Sequence, residues 1–212
     1  EIYQLAQGAN GNGFKCLVKD AGSVSMTKPS TLSDFIRYCD KNFPANRNML
    51  ILWDHGGGSL SGYGYDQKYQ SSGSMTLKGI SEALENGGVR FDFIGFDACL
   101  MATTETALTL APYADYLIAS EETEPGIGWY YTNWISELCA DTSVSTVQLG
   151  KRIIDDYVDA CAASCRGQAT TLSLVDLAEL QETVPASFSA FSASTTGLIE
   201  DGGYRTVSDA RS

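Results

Sequence analysis

Two short runs of apolar residues constrain the fold of this chain more than any other feature. They occupy residues 48–53 and 91–96, and each is typical of a strand that is buried on both faces. Segments with helical periodicity lie between and after these runs, so strands and helices are expected to alternate. Such an alternation predicts an α/β fold in which a mostly parallel sheet is covered by helices on both sides.

Shorter patterns extend this prediction along the chain. Residues 2–6 and 14–18 flank a cluster of Gly and Asn at 8–13, which indicates a β-hairpin with a long loop. Residues 56–74 are rich in Gly, Ser and Tyr, and we expect a long exposed loop there. The other predicted strands are 116–120 and 170–175, and the predicted helices are 30–42, 75–86, 103–110, 129–139, 147–163 and 177–191.

Two of these helices carry an apolar stripe that we expect to face the core. The stripe of the first helix consists of Leu32, Phe35, Ile36 and Cys39. The stripe of helix 147–163 consists of Leu149, Ile153, Tyr157 and Cys161. Residues 187–196 are rich in Ser, Ala and Thr, which suits either a helix or a linker, and residues 202–212 are expected to end without a closing element.

Composition and charge narrow the class of protein. With 212 residues, 43% hydrophobic and 19% charged, the chain has the composition of one globular domain over residues 1–212. The net charge of −12 repels phosphate backbones and makes nucleic acid an improbable partner, whereas it suits cationic ligands or simply an ordinary acidic surface. No transmembrane segment and no signal peptide is found in the sequence. Because Glu1 is not a start methionine, a targeting segment can lie outside this sequence.

The cysteine pattern argues against a zinc site. The six cysteines include no CxxC pair, and His55 is the only histidine. If one cysteine must stay a thiol, the remaining five cannot pair completely, so we expect the cysteines to be mostly reduced and buried. Taken alone, this pattern favours a reducing compartment.

A reactive side chain follows each of the two apolar runs. His55 follows the run 48–53, and Cys99 follows the run 91–96. Because the carboxyl ends of parallel strands meet at one edge of a sheet, a thiol and an imidazole are expected to lie together there. That pairing is what a cysteine nucleophile and its base require. The alternative is that both residues are structural, since a buried free cysteine is ordinarily a small hydrophobic residue.

Three motifs at these strand ends resemble the clostripain-like cysteine peptidases, which group with caspases, legumains and gingipains. They are the runs at 51–57 (ILWDHGG), 95–101 (GFDACLM) and 120–129 (SEETEPGIGW). The resemblance covers residues from about 24 to about 181 and implies a caspase-like three-layer α/β sandwich. It also implies a His-Cys dyad, with Cys99 as nucleophile and His55 as its partner. The backbone N–H groups of Gly56 and Cys99 would then stabilise the oxyanion.

The resemblance further implies cleavage of peptide bonds after Arg or Lys. The residue implicated in that preference is Asp97, because a carboxylate at the pocket floor pairs with a guanidinium. The alternative is that Asp97 only caps the turn before the nucleophile. Glu121, Glu122 and Glu124 are candidates to line the same pocket or to bind calcium, although acids at a strand end are more often solvated. The chemistry itself requires no cofactor.

Processing and location are also expectations from the family. Relatives cleave themselves in the loop after the histidine, and here that loop has one basic residue, so we expect cleavage between Lys68 and Tyr69. The first strand of the fold and a C-terminal extension are not seen, which makes further segments of the same precursor expected partners. The family relationship favours a secreted or cell-envelope-associated bacterial enzyme.

Two other functions remain open at this stage. The first is a catalytically silent binding module that keeps the caspase-like scaffold. The second is a different thiol enzyme, such as an amidotransferase, which also needs a cysteine at a strand end. The intact His55 and Cys99 disfavour the first, and the acid at Asp97 together with the lack of a second histidine disfavours the second.

Overall fold

The computed structural model describes residues 1–5 and 13–211. The strands, in chain order, are β1 (Ile2–Leu5), β2 (Phe14–Val18), β3 (Met49–Trp53), β4 (Phe91–Asp97), β5 (Ala114–Ala119) and β6 (Ser173–Asp176). The central sheet has the order β3-β4-β5-β6, in which the first three strands are parallel and β6 runs antiparallel to β5. The prediction of a mostly parallel sheet is therefore confirmed, with one antiparallel strand at its edge.

Helices cover both faces of this sheet. In chain order they are α1 (Pro29–Asn42), α2 (Gly58–Ser61), α3 (Leu77–Gly87), α4 (Thr104–Leu110), α5 (Tyr131–Ala140), α6 (Thr146–Ser164), α7 (Leu177–Leu198) and α8 (Tyr204–Arg211). Buried residues of α1, α3, α4 and the start of α7 form one apolar cluster with the sheet, and those of α5 and α6 form a second cluster on the other face. The predicted three-layer sandwich is thus observed.

Strand β4 shows why the sequence folds this way. Ile94 and Phe96 belong to the cluster under α1, α3 and α4, whereas Phe93 belongs to the cluster under α5 and α6. All three side chains are fully buried, because successive residues of a strand point to opposite faces and both faces are covered. Each contributes roughly 1.5–3 kcal/mol through burial, which makes β4 the centre of the fold.

The stripe prediction is right for α6 and partly wrong for α1. All four predicted residues of the α6 stripe are buried, but Phe35 of α1 is 42% exposed. The buried face of α1 contains Ser33 as well as Leu32 and Ile36, so its centre lies near Ile36. Phe35 lies about 100° from Ile36 around the helix axis, at the edge of that face.

Several boundaries and environments differ from the expectations. Residues 2–5 and 14–18 form the predicted hairpin, but most of its connecting loop at 8–13 lies outside the described residues. All six cysteines are free, yet only Cys161 is buried, so the expected burial is wrong for the others.

α7 continues to Leu198, and residues 204–211 form a further helix instead of ending without one. No helix among the described residues is long and apolar enough to cross a membrane.

The segment 56–74 is more ordered than the exposed loop expected there. It contains α2 and a 3₁₀ turn at Gln70–Ser72, and Tyr63 pairs as an isolated bridge with Gly56 on one side and Met75 on the other. The Tyr63 ring is buried edge-on against Phe96, with ring centroids 5.7 Å apart. An aromatic residue that reaches the core therefore anchors this segment to the sheet.

Packing between α1 and α3 predicts the effect of one added methyl group. An ideal Cβ on Gly87 would lie 2.8 Å from Cγ2 and 3.1 Å from Cβ of Ile36, so the Ile36 side chain or one of the two helices must shift. We expect Gly87→Ala to lower the free energy of unfolding by about 1–3 kcal/mol in urea denaturation. The matched control is Gly197→Ala in α7, where nothing lies within 4 Å and the change is expected to be neutral or stabilising. Equal stabilities of the two variants would contradict this account of the interface.

Candidate active site

The carboxyl ends of β3 and β4 meet at one edge of the sheet. Trp53 and Asp97 are partners in the parallel register, and His55 and Cys99 each lie two residues beyond them. The two following segments are in contact, because an ideal Cβ on Gly56 would lie 2.1 Å from the carbonyl oxygen of Cys99. Only glycine permits so close an approach, so the sequence at position 56 is set by the backbone of the cysteine.

Two backbone N–H groups at this contact are unused. Among the described residues, neither the N–H of Gly56 nor that of Cys99 donates a hydrogen bond. The hydrogen bonds of neighbouring residues explain why the N–H of Gly56 is unpaired. The N–H of Gly57 donates to the Gly62 carbonyl and the N–H of Gly64 donates to the His55 carbonyl, so Gly56 lies between two hydrogen bonds and takes part in neither. Unpaired N–H groups on touching segments are the donors that an oxyanion hole requires.

The turn that carries His55 is organised by the carboxylate of Asp54. Oδ1 of Asp54 accepts the N–H of His55 at 2.6 Å and the N–H of Tyr65 at 3.3 Å. The imidazole itself is exposed and forms no hydrogen bond within residues 1–5 and 13–211. The backbone of His55 is therefore held in place, whereas no hydrogen bond from the described residues fixes its ring.

Cys99 lies at a strained turn after β4. Leu100 has φ of 65°, and in the described part of the chain it is the only residue other than glycine with positive φ. Such a conformation costs of order 1 kcal/mol, and it is held by bonds from Leu100 N to the Glu122 carbonyl and from Ala102 N to the Ser120 carbonyl. The half-buried Cys99 Sγ accepts the N–H of Glu124 at 3.2 Å. The segment after β5 therefore positions the sulfur.

Asp97 lies beneath this edge and is only 4% exposed. Its Oδ2 accepts the N–H of Trp129 at 3.1 Å and the hydroxyl of Tyr131 at 2.9 Å. A Cβ on Gly128, whose φ is 65°, would lie 2.9 Å from Oδ1, so the backbone encloses the carboxylate closely. Burial and the Asp97 charge raise the pKa of Tyr131 well above its usual value, which keeps that hydroxyl a donor.

The three acids at the end of β5 occupy different environments. Glu121 and Glu122 are exposed, and the Glu121 carboxylate accepts a hydrogen bond from Ser173. The carboxylate of Glu124 is buried, and neither of its oxygens has a well-aligned partner among the described residues. Burial, and next the charge of Asp97, raise the pKa of Glu124 to about 8. Exposure of Glu121 and Glu122 fits the expectation that acids at a strand end are solvated, whereas the carboxylate of Glu124 is not.

Aromatic residues surround the buried acids. Trp129 stacks on Tyr131 with centroids 6.4 Å apart, and Tyr131 contacts Trp134 at 5.8 Å. The helical pattern had assigned Trp129 to the following helix, but α5 begins only at Tyr131. Gly126 and Gly128 are the sequence signal that favours a loop over a helix in this stretch.

The predicted cleavage point Lys68–Tyr69 lies in a tight turn. Oδ1 of Asp66 accepts the N–H of Lys68 at 2.9 Å and that of Tyr69 at 3.3 Å, while its Oδ2 accepts the N–H of Met26 at 2.9 Å. These bonds, led by the one from Met26, lower the pKa of the Asp66 carboxyl. Lys68 itself is exposed.

Metal-binding side chains are not clustered in the described residues. No group of three or more His, Cys, Asp or Glu side chains there is placed to hold an ion.

A cavity of about 400 Å³ lies between the starts of α1 and α3, but it includes none of the predicted site residues. The chemistry-bearing groups are those at the ends of β3 and β4.

A three-layer α/β sandwich with a histidine and a cysteine at the ends of neighbouring parallel strands defines the class of caspase-like proteins. The sequence matches the profile of peptidase family C11, the Clostripain family, across residues 12–194. The chain belongs to this family.

Known relatives agree with this placement. The chain is 30% identical over 124 residues to clostripain of Hathewaya histolytica, which is 51% of this chain and 24% of that protein. The structure of an inactive zymogen C11 protease from Parabacteroides distasonis superposes with a TM-score of 0.65 at 25% identity, covering 85% of this chain and 48% of the other. A secreted C11 cysteine protease from Bacteroides thetaiotaomicron, bound to an irreversible peptide inhibitor, gives 0.60 at 25% identity, with coverages of 73% and 46%.

The chain thus spans about a quarter of the length of clostripain and about half of the two crystallised proteases. Family membership and the caspase-like fold follow from these comparisons, since the matched region includes the whole central sheet.

The hydrogen bond from Tyr131 to Asp97 predicts a stability difference between adjacent tyrosines. Tyr131→Phe removes a donor to a buried carboxylate, so we expect a loss of about 1.5–3 kcal/mol in the free energy of unfolding. Tyr130→Phe is the matched control, because Tyr130 is exposed and its change is expected to stay within about 0.5 kcal/mol. Denaturant titration at pH 7 measures both, and an unaffected Tyr131→Phe would mean that Asp97 does not depend on this bond.

Proposed function

We propose that this chain is the catalytic part of a cysteine endopeptidase that hydrolyses peptide bonds after Arg or Lys. The observation that carries the proposal is the contact of Gly56 with the Cys99 backbone, where two N–H groups are unpaired among the described residues. A carbonyl oxygen bound by both N–H groups has its carbon beside Cys99, at the strand end that neighbours His55.

The reaction follows from the roles of these groups. His55 takes the thiol proton of Cys99, the sulfur attacks the peptide carbonyl carbon, and the resulting oxyanion accepts hydrogen bonds from the N–H groups of Gly56 and Cys99. The C–N bond breaks as His55 gives that proton to the leaving amine, and the acyl group stays on the sulfur as a thioester. His55 then takes a proton from water, which attacks the thioester, and the C–S bond breaks to release the acid while the proton returns from His55 to the sulfur. None of these steps uses a cofactor.

The preference for basic side chains rests on charge. Asp97 is buried below the nucleophile, and no ion pair in the described residues neutralises it. The net charge of −12 attracts cationic peptides to the surface as a whole. Peptides and proteins with Arg or Lys before the scissile bond are the proposed substrates, and further segments of the same precursor are proposed partners.

Secretion or attachment to the cell envelope is the proposed location. The crystallised protease from Bacteroides thetaiotaomicron is described as secreted, which supports an extracellular role by relationship.

Peptide turnover tests the activity directly. We expect the chain to cleave fluorogenic peptides ending in Arg or Lys but not those ending in Asp or Asn. Cys99→Ala and His55→Ala should each lower turnover by roughly a thousandfold or more, because each removes an essential reacting group. Cys139→Ala, which changes an exposed cysteine on α5, is the control and should leave turnover unchanged.

Each reaction is run with and without calcium, which tests whether the exposed acids Glu121 and Glu122 support an ion required for activity. No turnover of any peptide by the folded chain would overturn the proposal and favour a catalytically silent binding module.

Self-cleavage is proposed at the bond between Lys68 and Tyr69. Intact-mass analysis of the purified chain should show two fragments for the wild type and one species for Cys99→Ala. Lys68→Ala should also stay intact, whereas Lys78→Ala, which changes an exposed lysine of α3, should be cut normally. Because the bonds to Asp66 hold this turn closed, Asp66→Ala, which removes both accepting oxygens, is expected to accelerate cutting. A fully active wild type that remains one chain would show that this cut is not needed.

A further inference from the structure

The loop that precedes β6, residues 165–172, lies at the edge of the sheet that carries the reacting groups. β6 runs antiparallel to β5, with Ala119 opposite Ser173, so the chain enters β6 at the end where β5 and its parallel neighbour β4 stop. Neighbouring strands lie about 4.8 Å apart, which puts β6 roughly 10 Å from β4, the strand that Cys99 follows.

The carboxyl half of this loop is fastened to the segment that positions Cys99. The hydroxyls of Ser120 and Thr171 lie 2.8 Å apart, and Oγ1 of Thr171 accepts the N–H of Glu122 at 3.3 Å. The carbonyl of Glu122 in turn accepts the N–H of Leu100 in the strained turn after Cys99. This half of the loop is therefore fixed beside the site.

The amino half of the loop is exposed and has few bonds. Residues 166–169 are all exposed, and among the described residues their one backbone hydrogen bond runs from the N–H of Gln168 to the Cys165 carbonyl, at 3.1 Å. The guanidinium of Arg166 forms no ion pair with any residue that the structure describes. An exposed stretch with so few bonds opens locally at small cost, which is what binding to a peptidase requires.

Most other basic residues of the chain are held in regular structure or in ion pairs. Eight of the fourteen lie in helices or strands, where the backbone is hydrogen-bonded. Arg47 and Arg90 lie outside these elements, but they form ion pairs with Asp92 and Asp115. A peptidase that cuts after basic residues therefore has few bonds to choose from in the folded chain.

Three lysines remain to be compared with Arg166. Lys28 precedes a proline at the start of α1, and Lys19 precedes an aspartate, whose charge is unfavourable beside an acidic site. Lys68 lies in the turn that the carboxylate of Asp66 fastens. Arg166 is followed by Gly167, which adds no side chain and no charge, and its turn has no carboxylate of this kind among the described residues.

We propose that the bond between Arg166 and Gly167 is a second self-processing site, cut in one copy of the chain by another copy. This inference rests on the proposed function, because it requires an endopeptidase that cuts after Arg. The C–N bond of the peptide breaks, water supplies the hydroxyl oxygen of the new Arg166 carboxyl group, and a proton goes to the new amino group of Gly167. Water is the only co-reactant.

The cut nicks the chain without releasing residues 167–212. β6 keeps its pairing with β5, and Leu172 and Leu177 stay buried in the core. Leu174 also packs against α6, since an ideal Cβ on Gly150 would lie 2.9 Å from its Cδ1. We therefore expect the two parts to remain one native particle and to separate only in denaturant.

The experiment uses an inactive chain as the substrate of an active one. The double variant Cys99→Ala with Lys68→Ala is incubated with a small amount of wild type, and intact mass is measured under denaturing conditions. Fragments 1–166 and 167–212 should appear. Adding Arg166→Gln to the substrate should slow this cut by roughly a hundredfold or more, because the recognised charge is lost, and Arg166→Lys should restore cutting.

Lys151→Ala is the matched control, since Lys151 is an exposed base within α6, and a substrate with this change should be cut at the unmodified rate.

Limited digestion with trypsin tests the loop independently of the activity of the chain itself. Trypsin should cut the inactive substrate first after Arg166, and a first cut elsewhere would contradict the argument from exposure and bonding. On size exclusion, fragments 1–166 and 167–212 should elute together. Loss of the smaller fragment from the native particle would overturn the nicked product.

The outcomes separate this inference from the proposed function. If the wild type cleaves Arg peptides but leaves the bond after Arg166 intact, the processing site is overturned and the peptidase activity stands. If the wild type cleaves no basic peptide, the proposed function fails and self-processing fails with it, whatever trypsin does.

Discussion

Parallel pairing of β3 with β4 is the constraint on which the site depends. The register that places Trp53 beside Asp97 also brings the segments of His55 and Cys99 together two residues later. A slip of one residue would turn one strand's side chains to the opposite face and would bury the wrong set in both apolar clusters. The core packing of Phe93, Ile94 and Phe96 therefore specifies the register, and the register positions the segments that carry His55 and Cys99.

A buried carboxylate at the end of β4 organises the loop that follows β5. Asp97 is held by the Trp129 N–H and the Tyr131 hydroxyl, so the loop that encloses it is also ordered by it. Oδ2 of Asp97 therefore anchors the loop, as expected of a carboxylate that caps the turn. Within the described part of the chain the Glu124 carboxylate has no such partners, so the unfavourable burial falls on this residue.

Local patterns predicted the sheet, its covering helices and the two strand ends, since buried strands and amphipathic helices leave a direct trace in apolar spacing. They missed the features that depend on distant contacts. Burial of Tyr63 depends on Phe96, which is far away in sequence, and the left-handed Leu100 is held by Glu122. The burial of Glu124 beside exposed Glu121 arises only when the chain returns under Asp97, so three similar acids in sequence acquire different surroundings.

In the proposed reaction, the exposed imidazole of His55 gives the anchoring of a substrate side chain a role beyond selection. The ring has no hydrogen-bonding partner among the described residues, so no hydrogen bond fixes its orientation. In the proposed function, a basic side chain anchored at Asp97 would hold the scissile carbonyl beside Cys99 and the two N–H groups that are unpaired among the described residues. Binding energy from that remote contact then offsets the entropy lost when the ring and the peptide are aligned. A neutral side chain supplies less of this energy, so discrimination should be expressed in kcat as well as in KM.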